Sequence, residues 1–463
     1  MAKPMTSHKV DNIQAEELLG LSPGLVASIA NALDKERLFE ARIKVEPLRA
    51  PECADLLQLL PPELRRRLVE YMRQDFDPES LPELEEDIRN EIAEALGTTS
   101  LVNAIRRLEL DDALEFFETL DEIKQSIIFE NIPPKLRNFV KEGLNFPEDS
   151  AGRLMERDFV AVPEFWTIGQ IIDFVREAKD LPNAFYDIFV VDPRQRPLGK
   201  VALSQVLRNK RSITVKNLMN SDFVTVPAMM DQEEVAYLFS QQNLVSAPVV
   251  DNSKRLIGTI TVDDVLDVIQ EEAEEDIMHL GGVSSDDFYS AALKTGRSRF
   301  SWLFVNLITA IIASIVIGVF EGTIEKIVML AVLMPIVASM GGNAGTQTMT
   351  VAVRALATKE LTKSNAMRVL GKEALVGIYN GVLFALLIGC LAWFWGDSWK
   401  IGAVMAIAMI VTLVLAAFSG IAIPLALART GIDPAIASSV LLTTITDVVA
   451  FSVFLGLAAL LLL

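Results

Sequence analysis

Cysteine and histidine are nearly absent, with two of each in 463 residues. Cys53 and Cys390 stand far apart in segments of opposite character, which excludes a disulfide framework. His8 and His279 cannot build a zinc-type constellation. Basic residues are also in deficit: 42 Lys and Arg face 61 Asp and Glu, a formal charge of −19. Such a chain lacks the cationic surface that nucleic-acid phosphates require, so no nucleic-acid partner is expected. Neither a phosphate loop, a metal-hydrolase spacing nor a nucleophile–base arrangement is visible, so an enzyme is not expected. The first 30 residues carry charges throughout and no long apolar run, the opposite of a secretory signal.

What is present is unevenly distributed. Residues 1–300 hold 54 acidic and 34 basic residues, against seven and eight from Ser301 onward. An acidic soluble part is thus joined to a nearly uncharged apolar part. Five apolar stretches, near 300–320, 327–352, 375–394, 401–427 and 435–463, each approach the roughly 20 residues needed to cross a bilayer. Lys294, Arg297 and Arg299 precede the first stretch, and Arg354, Lys359, Lys363, Arg368 and Lys372 fill the second connection. The first and third loops carry one Lys each, Lys326 and Lys400, beside acids. The bias of Lys and Arg toward the cytoplasmic side predicts a multi-pass protein of the cell (inner) membrane, with its N-terminal 300 residues in the cytoplasm and its C-terminus outside.

The soluble part contains a duplication. LMERDFVAVP (154–163) returns as LMNSDFVTVP (218–227), and DIFVVD (187–192) returns as SAPVVD (246–251). Each copy continues through a glycine, Gly199 or Gly258, expected in a turn, to another strand and helix. This order resembles a tandem cystathionine-β-synthase (CBS) pair. Such modules often grip a nucleotide ribose with a Ser/Thr and an Asp three residues on. Thr261 and Asp264 fit that pattern, whereas the first copy has Ala202 and Gln205. ATP at Thr261 and Asp264 is therefore an expectation for the second copy alone. Ahead of the repeats, apolar residues recur at helical spacing, and LPPELRRRLVE (60–70) echoes IPPKLRNFVKE (132–142), with Pro where helices start. This predicts stacked helix pairs.

Between the second repeat and the membrane, residues 263–276 hold eight acids and no Lys, Arg, Pro or Gly. On a helix, Asp264, Asp267, Glu271 and Glu275 form one stripe, and like charges so placed repel. Two motifs then stand inside the apolar part. The second span contains Pro335, Gly341, Gly342, Asn343, Gly345 and Gln347, a composition expected to loosen the helix and free backbone groups toward a water-filled path. The last span contains Thr443, Thr444, Thr446 and Asp447 with no basic residue nearby, and an acid at that depth marks an ion or proton path. Magnesium gives up water reluctantly and usually touches one or two carboxylates. One Asp447 from each chain of a twofold dimer, beside hydroxyls, suits such an ion. Manganese, cobalt and nickel are equally compatible with this chemistry.

The whole chain resembles the MgtE family of magnesium channels. The resemblance rests on MPIVASMGGNAGTQ (334–347) with RALAT (354–358), DPA (433–435), TTITDVVAF (443–451), TVDDVLDV (261–268) and EAEEDIMHLGG (272–282). It implies a multi-domain fold in six parts. These are a weakly patterned segment 1–40, an all-α superhelical magnesium-sensing domain 41–148, an α/β CBS pair (149–211 and 212–264), a long acidic connecting or plug helix 265–293, and an all-α five-span pore domain 300–463. It further implies a homodimer in the lipid bilayer with one pore, Asp447 as central magnesium ligand and Asp433 at the pore mouth. Gly341, Gly342, Asn343, Gln347, Thr443 and Thr444 would line the pore. Sensor magnesium would be held by Asp264, Asp267, Glu272, Glu275, Asp276, Glu233 and Asp111. Two positions depart from the family: Asn243 replaces an Asp and Ala450 a Gly. The implied function is magnesium uptake through a channel closed by cytoplasmic magnesium. A gradient-coupled divalent-cation carrier and a non-conducting membrane-anchored nucleotide or ion sensor are the alternatives.

Overall fold

The computed structural model describes residues 21–108, 110–120, 122–178, 181–182, 184–283 and 292–463, without the side chains of residues 110, 111, 122 and 437. The chain divides into two compact units, Met1–Glu271 and Glu272–Leu463.

The first unit begins with eight described helices: α1 (Pro23–Asp34), α2 (Leu38–Val45), α3 (Ala50–Leu59), α4 (Pro62–Met72), α5 (Glu86–Ile105), α6 (Leu110–Glu118), α7 (Glu122–Asn131) and α8 (Pro134–Gly143). Order therefore reaches into the weakly patterned first 40 residues. Ser22 caps α1 by accepting the Leu25 N–H at 3.3 Å, and Pro23 opens it. Three buried or half-buried arginines then tie the hairpins. Arg65 donates to the carbonyls of Leu57 and Leu60, Arg89 to those of Pro82 and Leu84, and Arg137 to those of Glu130 and Ile132. Each guanidinium thus satisfies carbonyls left over at a helix end or turn, which buried backbone requires. Arg65 pairs with Glu91, and Arg89 pairs with Glu115 at 2.7 Å. Arg137 instead lies 5.7 Å from the centre of the Phe129 ring. The echo between residues 60–70 and 132–142 is this arginine in its role as hairpin clamp.

The duplication folds as two three-stranded sheets. After a short α9 (Ala151–Leu154), β1 (Ala161–Pro163), α10 (Ile168–Glu177), β2 (Asp187–Val191), β3 (Pro197–Ala202) and α11 (Leu203–Arg208) form the first copy. The second contains β4 (Val226–Pro227), α12 (Gln232–Gln242), β5 (Ser246–Val250) and β6 (Leu256–Thr261). In both, the first strand runs parallel to the second and the third pairs antiparallel to it. The copies exchange backbone bonds: Glu156 pairs with Thr259, and Asn220 pairs with Lys200. Gly199 and Gly258 lie within β3 and β6, not in turns as expected. A Cβ at Gly199 would sit 2.8 Å from the Asn220 carbonyl oxygen, and one at Gly258 would sit 2.7 Å from that of Glu156. Their role is to let the exchanged segments approach.

The connecting helix α13 (Val262–Gly281) seats Val265 and Val268 in the core of the second copy. It ends at Gly281, because Gly282 adopts a left-handed conformation (φ +68°) that stops helices, and residues 284–291 of the expected 265–293 element lie outside the described residues.

In the second unit, α14 (Ala292–Val319), α16 (Met329–Ala357), α17 (Ala366–Gly396), α18 (Trp399–Thr430) and α19 (Pro434–Leu462) are long and apolar enough to cross a membrane, with a short α15 (Glu321–Lys326) between the first two. The central α18 packs on α16, α17 and α19. Gly377, Gly381 and Gly389 of α17 touch Ala417, Ile410 and Ala406, a small-residue seam of the kind that joins helices in lipid. The second span, α16, is continuous despite Pro335 and its glycines. The expected loosening is absent because the glycines serve close packing. A Cβ at Gly341 would meet the Thr412 methyl at 2.6 Å, and one at Gly345 would meet Leu442 at 3.0 Å.

Candidate functional site

The second and fifth spans pack antiparallel, with Gly341 level with Thr446 and Gly345 level with Leu442. Asp447 therefore sits at the depth of Gly341, about 20 Å along α19 from its start by the helical rise. Around Gly341 the helices expose opposite characters. Gly341, Gly345, Thr348 and Met349 are buried against neighbours, whereas Asn343, Thr346, Gln347 and Thr350 are exposed. Those four lie at helical spacing and form one polar face on a span. On α19, Thr443 is exposed, and Thr444 and Asp447 are half-buried. Thr443 and Thr444 spend their hydroxyl protons on the carbonyls of Ser439 and Val440, leaving oxygen lone pairs free to accept. Asp447 makes no hydrogen bond or ion pair among the described residues. Gly342 has open space where a Cβ would stand. Thr346 and Thr350 were not singled out from the sequence; their spacing from Asn343 was the available signal. Ala450 is fully buried in the core of this unit, where its methyl is packed.

A second set of acids gathers within the first unit. Glu83, following α4, feels the charges of Asp267 on the connecting helix, Asp55 on α3 and Glu115 on α6. Burial first, and these like charges second, push its carboxyl above the usual range. Asp267 is raised likewise, by burial and then by Asp263 and Glu115. Asp264 rises to about 6, mainly through burial. Its Oδ2 accepts both the Thr261 N–H (3.0 Å) and hydroxyl (2.8 Å), so it turns inward from the stripe expected for it. Asp267, Glu271 and Glu275 remain exposed along the helix, and Glu272 is half-buried. The sequence pointed to Asp264 and Asp267 but missed Asp55, Glu83 and Glu115. Glu233 stands apart in the first turn of α12, where its N–H caps onto Asp231. The Asp111 side chain lies outside the described residues. Asn243 closes α12 in the left-handed conformation (φ 51°), which Asn tolerates well. Among the described residues, no three His, Cys, Asp or Glu side chains converge closely enough to ligate one ion directly.

The far end of the connecting helix meets the second unit's spans. His279 Nδ1 lies 3.4 Å from Asp433 Oδ2, and His279 Nε2 lies 3.5 Å from Glu275. Asp433 also caps α19 through the Ala435 N–H at 2.7 Å. Asp276 is pushed upward by burial and then by Asp433 and Glu275. Leu280 packs against Met349, Val353, Ala435 and Leu442.

A small cleft of about 20 Å³ lies between the two repeat copies, lined by Glu156, Asp158, Phe159, Tyr186, Asp187 and Thr261 among others. Asp187 is bound by Lys200 (2.7 Å) and Ser246 (2.8 Å). No Lys or Arg lines the cleft among the described residues. Thr261 stands in this lining, where a ribose grip would be placed.

Comparison with known proteins bears on both units. The model of the family described as divalent cation transporter matches residues 334–457, that of the MgtE intracellular N domain matches 48–149, and that of the CBS domain matches 215–271. The magnesium transporter MgtE of Thermus thermophilus is 34% identical over 76% of this chain and 79% of its own. That of Bacillus subtilis is 27% identical over 94% of this chain and 96% of its own. A solved structure described as the cytosolic domain of the Mg2+ channel MgtE in complex with ATP is 29% identical, with a TM-score of 0.48, over 52% of this chain and 99% of that one.

Proposed function

From the premise that this chain belongs to the MgtE family of magnesium transporters, we propose that it is a homodimeric magnesium channel closed by cytoplasmic magnesium. One observation carries the pore: a single chain exposes Asn343, Thr346, Gln347 and Thr350 on its second span, beside Thr443 and Asp447 on its fifth. An Asp facing lipid near mid-span costs about 3 kcal/mol, and polar side chains there gain nothing from hydrocarbon. A second copy related by a twofold axis would remove that cost by placing the two faces across a water-filled path. Two Asp447 carboxylates and a wall of hydroxyl and amide oxygens would then receive an ion that keeps much of its hydration shell. The basic clusters around Arg354–Lys372 and Arg297–Arg299 support a cytoplasmic first unit and an outer C-terminus.

Closure has an electrostatic basis. Glu83 and Glu115 repel Asp267 on the connecting helix, and Asp55 repels Glu83, so without cations the contact between that helix and the helical domain is weakened. Magnesium, bridging through its water shell, offsets the repulsion and favours the compact arrangement. The shift requires tighter binding to that arrangement, since equal affinity moves no equilibrium. Asp276, Glu275 and Asp433 offer a second acidic group where the same helix meets the spans.

Magnesium uptake into proteoliposomes, driven by a magnesium gradient alone, tests the pore. Uptake that is lost in Asp447→Asn supports the channel. A requirement for a sodium or proton gradient would move the reading to a coupled carrier, and full activity of Asp447→Asn would remove the pore assignment.

A further inference from the structure

The connecting helix ends in two glycines that are not equivalent. A Cβ at Gly281 would meet nothing closer than Val283 at 3.7 Å, whereas one at Gly282 would overlap the Trp302 indole of the first span. Gly282 is also left-handed, at φ +68°. Its N–H donates to the His279 carbonyl (3.0 Å), and the Val283 N–H donates to that of Met278 (3.1 Å). Any other residue at 282 therefore meets two penalties, the backbone conformation and the indole. Two residues earlier, Leu280 sits on Met349 and Val353 of the second span and Ala435 and Leu442 of the fifth. One helical turn thus touches the first span through a glycine seat, and through a leucine the two spans that carry the polar faces.

We propose that Gly282 is a positioning residue: its seat on Trp302 fixes where Leu280 enters between the second and fifth spans. This rests on the reading of the connecting helix as the closing element. A helix that moves with the acidic groups at its start can act on the spans only if its far end is held in register. Without the seat, displacement is lost as sliding at that end. Gly282 touches no ion, and Gly281, its neighbour, is free of the constraint.

The test uses the full chain in proteoliposomes, with flux measured against cytoplasmic magnesium. Gly282→Ala is expected to raise the half-closing magnesium concentration by about fivefold, a size consistent with the cost of a side chain in a left-handed position. Its flux at micromolar magnesium should stay near that of the unsubstituted protein, which a folding defect would not allow. Gly281→Ala should change neither. Trp302→Ala removes the overlap but not the cost of the left-handed backbone, so Gly282→Ala should shift closure less in the Trp302→Ala background than in the unsubstituted protein. A parallel measurement, in a background with Cys53 and Cys390 replaced by Ala, follows disulfide formation between Leu280→Cys and Met349→Cys. It should fall when Gly282→Ala is added. Unchanged closure and unchanged cross-linking in Gly282→Ala would overturn the proposal. If the unsubstituted protein never closes, the closing reading fails, and the cross-linking result alone then decides the seat.

Discussion

Replacing Asp264 by Asn should stabilise the cytoplasmic unit in the absence of divalent cations. Burial raises this carboxyl from 3.8 to about 6, a shift that at about 1.4 kcal/mol per pH unit is roughly 3 kcal/mol. The folded-state value lies above the unfolded one, so the folded state binds more protons between about pH 4 and 6. Stability is therefore lost as pH rises through that window, and the loss is complete above it. Asn carries no charge to desolvate, and its carbonyl oxygen can still accept the Thr261 N–H and hydroxyl that Asp264 Oδ2 accepts. The assay is thermal unfolding of the detergent-solubilised protein with EDTA, from pH 5 to 8. For a unit of this size each kcal/mol moves the midpoint by about 2–4 °C, so several degrees are expected at pH 7.5. The difference should shrink toward pH 5. A lower midpoint for Asp264→Asn at pH 7.5, or a difference independent of pH, would refute the reasoning.

Other outcomes follow from the same geometry. Because protons compete with cations at the raised carboxyls of Glu83, Asp264 and Asp267, lowering cytoplasmic pH from 8 to 6 should raise the magnesium needed to halve the flux. A threshold constant across that range would contradict the assignment. Arg89→Met leaves the Pro82 and Leu84 carbonyls and Glu115 without their guanidinium. With Glu115 exposed, the loss falls on the two carbonyls and should cost the helical domain about 2 kcal/mol, seen as a lower unfolding midpoint in the cytoplasmic transition only. Gly420→Leu forces a side chain onto the Gly345 carbonyl and Thr348, where even a Cβ would approach to 2.8 Å. It should abolish flux or folded yield, whereas Gly342→Ala, facing open space, should retain fold and alter conduction only.

The sequence made some of this legible and hid the rest for physical reasons. Spans and repeats are periodic, local signals, and the two sheets and five long helices lie where those signals put them. Asp55, Glu115 and Asp267 belong to three separate stretches, and only the stacking of helix hairpins brings them to Glu83. No spacing in the chain encodes that encounter. The Arg65–Glu91 and Arg89–Glu115 pairs were concealed in the same way, although the repeated arginine after LPPEL and IPPKL hinted at a shared role. The glycines of the second span looked like helix breakers. In a span, internal hydrogen bonding holds the helix, and Gly341 and Gly345 become contact surfaces while Asn343 and Gln347 face outward. The end of the connecting helix at Gly281 was visible in the pair Gly281–Gly282, yet its acidic, helix-favouring run suggested a longer element.

The most direct test of self-closure is flux through the reconstituted protein as cytoplasmic magnesium rises from micromolar to millimolar, compared with Glu83→Gln/Asp267→Asn. The unsubstituted channel should shut as magnesium rises, while the pair, having lost both the repulsion and the carboxylates that magnesium would bridge, should carry a flux that no longer depends on magnesium over the same range. Flux insensitive to cytoplasmic magnesium in the unsubstituted protein, or equal closure in both proteins, would contradict closure through these acids.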